Sequence, residues 1–186
     1  MVRALMPLAE GVEESEAVVT VDVLRRAQGE VVTASLGDTL VACSRGVRIV
    51  ADTTWDAVRP EDFDVLVLPG GAGGTRRLAG DARVLEAVRA FHAAGRMVAA
   101  ICAAPLVLQL AGVLAGRSYT CHPAVRDQFT TGTYRDEAVV ADGNLVTSRG
   151  AGTVFDFALA LVALKGGEAQ RQSVAQGLAL RIESAE

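Results

Sequence analysis

The chain predicts an α/β fold in which a mostly parallel β-sheet is covered by helices on both faces. Val65–Leu68 and Val98–Ile101 are unbroken apolar runs of the kind found in strands buried on both sides. Amphipathic stretches separate such runs, Asp81–Ala94 being the clearest, and strand–helix alternation of this sort gives parallel βαβ units. Glycines at Gly29, Gly95, Gly112 and Gly166 stand where those helices have to stop.

Taken in order, Arg3–Leu8 is a short apolar strand and Gly11 permits a turn after it. Glu13, Glu14 and Glu16 then put acids in the first turn of a helix, where the dipole favours them. Val19, Val23, Leu24 and Ala27 continue this helix at helical spacing, Arg25 and Arg26 suit its end, and Gln28-Gly29 stops it. Glu30–Ser35 is the next strand, so the chain opens β-α-β. Leu40–Ala42 and Val47–Ala51 read as an antiparallel excursion, Trp55–Val58 as a helical turn and 59–62 as a loop.

Asp64–Leu68 is a buried strand, followed by a glycine-rich loop over 69–74. Asp81 caps a helix with Val84, Leu85, Val88 and Phe91 on one face. The strand at Val98–Ile101 runs into Cys102, and a helix opens at Ala103-Ala104-Pro105 and ends near Gly112. Arg117–Thr120 is a short strand, and Ala124–Phe129 makes a helical turn or two. Glu137–Ala141 and Leu145–Ser148 form a hairpin about Asp142-Gly143. Thr153–Leu164 is helical, and residues 168–186 form a last helix that frays. The 186 residues read as one domain, without repeat or linker.

Several classes are disfavoured by composition. With 51% hydrophobic residues the chain is not disordered, and no apolar run is long and clean enough to span a membrane. A net charge of −4 argues against nucleic-acid binding through phosphate contacts. Met1–Pro7 is too short an apolar run for a signal peptide. Cys43, Cys102 and Cys121 are too few and too far apart for a disulfide framework or a metal cage, so no metal or cofactor is indicated and the default compartment is the reducing cytoplasm.

The candidate chemistry gathers at strand ends, where ligands bind in open α/β sheets. Cys102 lies on a strand-to-helix turn whose free N–H groups favour a thiolate, and the small Ala100 and Ala104 beside it suit a sharp nucleophile elbow. A buried structural thiol is the commoner fate of a lone cysteine. Gly70-Gly71 exposes backbone N–H groups that, with the N–H of Ala103, can form an oxyanion hole; a plain tight turn is the alternative. Neither a dinucleotide fingerprint nor a phosphate-loop lysine is present. Glu16 lies deeper in its helix than Glu13 or Glu14, against Ala17-Val18-Val19, and a carboxyl facing a buried site would hold its proton and hydrogen-bond a thiolate. His122, in a loop before Pro123, can shuttle protons, whereas His92 sits in an amphipathic helix as a structural residue. Arg45 and Arg149, each in Ser-Arg-Gly, can bind anions, although surface arginines usually do no more than solvate.

The segments Leu8–Glu16, Val65–Gly71, Ala100–Pro105, Cys121–Pro123 and Thr147–Thr153 together resemble the ThiJ/PfpI superfamily, above all its branch containing the parkinsonism-associated protein deglycase and its bacterial homologues. The resemblance covers nearly the whole chain. It implies a flavodoxin-like sandwich that forms a homodimer, with Cys102 as an oxidisable nucleophile on a strained elbow and Glu16 as the protonated acid beside it. It further implies His122 as the nearby histidine, Gly71 and Ala103 as oxyanion donors, and Arg45 reaching the site from the dimer partner. Three positions depart from the pattern: Ala104 and Ala151 replace a usual glycine and proline, and Cys121 a usual threonine. Ala104 is expected to narrow the pocket by a methyl group. Ala103, directly after the cysteine, disfavours the peptidase branch, which has a histidine there.

Two functions follow as expectations. The first is a cofactor-free glyoxalase or deglycase acting on methylglyoxal, glyoxal or their glycated adducts and releasing a hydroxy acid. The second is an oxidative-stress sensor or redox-regulated chaperone working through oxidation of Cys102.

Overall fold

The computed structural model describes residues 2–180. The eleven strands are β1 (Arg3–Leu8), β2 (Glu30–Ser35), β3 (Leu40–Ala42), β4 (Arg48–Val50), β5 (Thr53–Thr54), β6 (Val65–Leu68), β7 (Met97–Ile101), β8 (Ser118–Tyr119), β9 (Thr133–Tyr134), β10 (Val139–Asp142) and β11 (Leu145–Ser148). Six α-helices accompany them among the described residues, besides short 3-10 turns: α1 (Glu14–Arg26), α2 (Ala72–Gly80), α3 (Ala82–Ala93), α4 (Pro105–Leu110), α5 (Val154–Gly166) and α6 (Glu168–Gly177).

Seven strands form one sheet in the order β10-β11-β7-β6-β1-β2-β5. All neighbours pair in parallel except the edge hairpin β10–β11. The parallel centre, β2-β1-β6-β7-β11, reverses direction of growth between β1 and β6, which makes the flavodoxin-like strand order with its ligand crevice beyond the carboxyl ends of those strands. Helices α1, α5 and α6 pack together as one layer, and α2, α3 and α4 as the other. The core lies between, and Leu5, Met6, Leu66, Val98 and Ile101 of the central strands are fully buried. This is the mostly parallel, doubly covered sheet that the alternation of runs predicts.

The glycine-rich stretch departs from its expected form. The chain over 69–74 is not a long loop: helix α2 starts at Ala72, and Asp81 ends it while capping α3 through the N–H of Arg83. Glycine is a poor helix former, so local propensity points away from α2. The tertiary fit overrides it. A Cβ on Gly74 would lie 2.6 Å from the Cα of Val12, and one on Gly11 3.0 Å from the Cα of Gly73, so α2 can lie against the β1–α1 turn only where side chains are missing. Gly74→Ala is therefore expected to lower stability by about 1–3 kcal/mol, the range for overpacking against an immovable neighbour, measured by urea unfolding. Equal stability of the variant would show that the contact relaxes freely.

Smaller differences follow from short elements. The helix expected from Ala103 begins at Pro105, the strand expected over 47–51 shrinks to Arg48–Val50, and the two-residue strands β5 and β9 have too little sequence to announce themselves. The final helix ends at Gly177, and residues 181–186 of that expectation lie outside the described residues. No described helix is long and apolar enough to cross a membrane.

Candidate active site at the carboxyl edge of the sheet

Cys102 follows β7 with φ +66°, a left-handed conformation that costs a non-glycine residue about 1–3 kcal/mol. Its surroundings hold it there. The N–H of Cys102 donates to the carbonyl of Ser148 at 2.9 Å, and its own carbonyl accepts from the N–H of His122 at 2.8 Å. The thiol thus projects from a fixed corner into a cleft of about 690 Å³, whose wall includes Glu16, Arg45, Gly71, Ala103 and His122.

Glu16 reaches this cleft because it lies on the inner stripe of α1 with Ala17, Thr20, Val23 and Leu24. Glu13 caps the helix by accepting from the N–H of Glu16. The Glu16 side chain is 1% exposed. Its Oε2 accepts from the N–H of Gly70 at 2.8 Å, while Oε1 is buried and has no hydrogen-bond donor of its own. The same carboxyl interacts with the thiol of Cys102. Gly70 makes the approach feasible, since a Cβ there would fall 2.6 Å from the Cβ of Cys102 and 2.7 Å from Oε2 of Glu16.

Burial is the main electrostatic fact at this pair. It pushes the Glu16 carboxyl up to about 7, against the opposing pull of the Gly70 N–H and the thiol. The Cys102 thiol is pushed up to about 12, first by burial and then by the charge of ionised Glu16, against the backbone N–H groups of Gly71 and Ala103. The sequence argument put a helix end behind a low thiol pKa. In the structure α4 has only six residues and starts three positions past the cysteine, so its dipole is short and burial outweighs it. The thiolate is favoured when the shared proton sits on Glu16: the repelling charge is then gone, and the two backbone N–H groups remain.

His122 is exposed at the rim, and its Nδ1 accepts from the N–H of Ala124 at 3.2 Å, which places the proton of the neutral ring on Nε2. Arg45 lines the cleft of its own chain, its backbone N–H donating to the carboxylate of Glu14. Arg149 is elsewhere engaged, paired with Asp136. His92 keeps to α3, and Cys43 and Cys121 are buried. Ala104 is fully buried and absent from the cleft wall, so its methyl group does not narrow the cleft; of the three departures it is Ala151 that lines it.

Arg77 is a cleft residue that sequence reasoning passed over. It lies one helical turn beyond Gly73 on α2 and donates to the carbonyls of Glu10 and Gly73 at 3.2 and 3.3 Å. Its signal was its spacing from Gly73, which carries information only once α2 is known to start at Ala72. Among the described residues no cluster of three His, Cys, Asp or Glu side chains could hold a metal ion.

Comparison with known proteins agrees with this architecture. The sequence profile of the DJ-1/PfpI family matches residues 2–164. The chain is 38% identical over 173 residues to the glutathione-independent glyoxalase DJR-1.2 of Caenorhabditis elegans, covering 92% of each chain. It superposes on the crystal structure of Drosophila melanogaster DJ-1beta with a TM-score of 0.94 at 43% identity, over 97% of this chain and 99% of that one. A structure of Toxoplasma gondii DJ-1 in an oxidized form gives a TM-score of 0.94 at 36% identity, over 98% and 100% of the two chains.

Proposed function

This chain belongs to the DJ-1/PfpI family, and from that premise we propose that it is a glutathione-independent glyoxalase or deglycase whose nucleophile is Cys102. The observation that carries the reading is the pairing at the elbow: a cleft-facing thiol held at φ +66° beside a buried carboxyl whose Oε1 has no hydrogen-bond donor. The name of the nematode relative supports the same reaction.

The chemistry runs as a net addition of water with an internal hydrogen shift. Sγ of Cys102 bonds to the aldehyde carbon of methylglyoxal, and the carbonyl π electrons move onto oxygen, giving a hemithioacetal. The N–H groups of Gly71 and Ala103 stabilise the negative charge as it forms, and protonated Glu16 supplies the proton. Glu16, ionised by that transfer, then takes the C1 proton, and a proton is returned to C2, leaving a lactoyl thioester on Cys102. Glu16, ionised once its proton has gone to C2, takes a proton from the water whose oxygen bonds to the thioester carbon as the C–S bond breaks; lactate leaves, the thiolate and protonated Glu16 are restored, and His122 at the rim can donate to the product through Nε2. Atoms balance as methylglyoxal plus water giving lactate and a proton, with no external oxidant, reductant or cofactor. Incubation of purified protein with methylglyoxal, without glutathione, is expected to yield lactate in proportion to enzyme. Glyoxal and methylglyoxal both left unconsumed would overturn the proposal.

A second reading is favoured by the same pairing. Peroxide would oxidise the Cys102 thiolate to sulfenate, with water as the other product, and a second equivalent would give a sulfinate against the Glu16 proton. The Toxoplasma relative solved in an oxidized form supports it. Mass spectrometry after mild peroxide is expected to find the added oxygen on Cys102, with the buried Cys43 and Cys121 spared. Oxidation spread evenly over the three would exclude the sensor.

A further inference from the structure

Arg77 takes no part in the chemistry above, yet it lines the same cleft as Cys102. Its Nη1 donates to two backbone carbonyls, those of Glu10 and Gly73. The position that a Cβ of Gly73 would take is 3.5 Å from this nitrogen, so the guanidinium lies along the glycine-rich start of α2. Gly71, whose N–H faces the sulfur of Cys102, begins the same segment. Carbonyls hold a guanidinium in place without neutralising it. No carboxylate pairs with Arg77 among the described residues, whereas Arg83 on the next helix pairs with both Asp56 and Asp81. Of the five N–H donors of a guanidinium the carbonyls take those of Nη1, and Nε and Nη2 keep theirs. These two nitrogens present the parallel N–H groups that meet one carboxylate bidentately.

The space around this edge is open. Arg77 and Glu10 also line a second hollow of about 510 Å³ beyond the ends of β1 and β2, so they stand between it and the cleft. The cleft itself, at about 690 Å³, has the size of sites that take ligands much larger than a three-carbon dicarbonyl. Its wall carries Glu10, Glu13 and Glu16 against Arg45 and Arg77. Glu13 is committed to the α1 cap, where it accepts from the Ser15 hydroxyl and the Glu16 N–H. With the proton on Glu16, the two remaining acids balance the two arginines in formal charge. A wall so balanced suits a single negative charge set on a fixed cation better than a phosphate dianion.

We propose that Arg77 is a specificity-determining residue that binds a carboxylate through Nε and Nη2, so that Cys102 favours electrophiles carrying a carboxylate at the end away from the reacting carbon. The substrate class that follows, α-oxoaldehydes with a terminal carboxylate such as 4,5-dioxopentanoate, rests on the reaction proposed above. The charge preference at the cleft does not, and it is measured without turnover.

The experiment alkylates Cys102 with the N-iodoacetyl derivatives of glycine, β-alanine and 4-aminobutyrate, and with the uncharged amide of each. Rates are read on the Cys102 peptide, with 2-mercaptoethanol as the reference for intrinsic reactivity. At the best tether length the acid is expected to outpace its amide by at least about tenfold relative to the reference, as for a hydrogen-bonded charge pair. Arg77→Gln is expected to bring that ratio below about threefold and to leave the amides reacting as before. Arg76→Gln removes the same charge from an exposed neighbour outside the cleft wall and is expected to keep the preference. A wild-type ratio near one at every length would overturn the proposal. So would an equal loss in the two variants, which would assign the preference to net charge. Should Arg77→Gln fail to fold, the wild-type ratios decide alone, since a fixed cation makes them depend on length. A phosphonate of matching length that reacts faster than the best acid would overturn the choice of carboxylate. In turnover, kcat/KM for 4,5-dioxopentanoate, read as 2-hydroxyglutarate, is expected to exceed that for the uncharged 2-oxopentanal by at least about tenfold. Equal values would overturn the substrate class. No hydroxy acid from either, alongside the charge preference in alkylation, would count against the proposed reaction and leave Arg77 its role.

Discussion

Cys102→Ser is expected to lower lactate formation from methylglyoxal by at least about 10³-fold while the chain stays folded. Serine keeps the polar atom and the shape, so it isolates the nucleophile. A hydroxyl at this position needs a base to lose its proton. The one buried carboxyl among the described residues, Glu16, has its own pKa near 7 and lacks the strength to deprotonate an alcohol appreciably. The thiol differs in degree: with the proton on Glu16 the repelling charge is gone, and the N–H groups of Gly71 and Ala103 pull its pKa down. The measurement is initial rate against methylglyoxal for both proteins, with thermal melting as the folding control. A variant within about tenfold of wild type would remove Cys102 from the chemistry. A large loss with an unchanged melt assigns the loss to sulfur.

Much of the fold could be read from periodicity because its central strands are buried on both faces. Val65–Leu68 and Val98–Ile101 have no alternation to confuse with helix, and α3 has a capping aspartate at one end and Gly95 at the other. Helix α2 shows where that reading ends. Its glycines look like a loop because local propensity is all the sequence displays, while the reason for them is a backbone approach of Gly74 to Val12 across the sheet edge. Contacts between distant segments leave no trace in a propensity. The same holds for β5 and β9, two residues each, which exist only as partners of β2 and β8.

The site was legible in a different way. The positions of Gly70 and Cys102 at strand ends follow from the parallel sheet, and the structure brings both against Glu16. What the sequence does not carry is the balance of forces on the thiol. A helix N-terminus and a buried carboxylate pull its pKa in opposite directions, and which prevails depends on the depth of burial and on how many residues of α4 stand behind the cysteine. Arg77 depends on geometry of the same kind, since it requires the true start of α2.

Glu16→Gln separates the functions of this carboxyl and shows what it costs the fold. Folded Glu16 keeps its proton up to about pH 7, against 4.5 for an unperturbed carboxyl. Between those values the folded chain binds more protons than the unfolded one, so stability falls as pH rises, and above pH 7 the loss is complete at about 3 kcal/mol. Glutamine never ionises and escapes this loss. The variant is therefore expected to match wild type near pH 4 and to be more stable by about 3 kcal/mol at pH 8, measured by urea unfolding at the two values. The amide can still accept from the N–H of Gly70 through its oxygen and turn its NH₂ toward the sulfur. With the repelling charge gone and a donor in its place, the thiol pKa falls, so alkylation of Cys102 at pH 7 becomes faster. Turnover moves the other way, by at least about 10²-fold, because an amide cannot carry a proton from C1 toward C2. A stabler protein with a more reactive cysteine and little catalysis is the combination that a purely structural Glu16 would not produce. If Glu16→Gln turns over methylglyoxal at the wild-type rate, the carboxyl is not the proton carrier. If stability at pH 8 does not rise, Glu16 is not held uncharged by its burial.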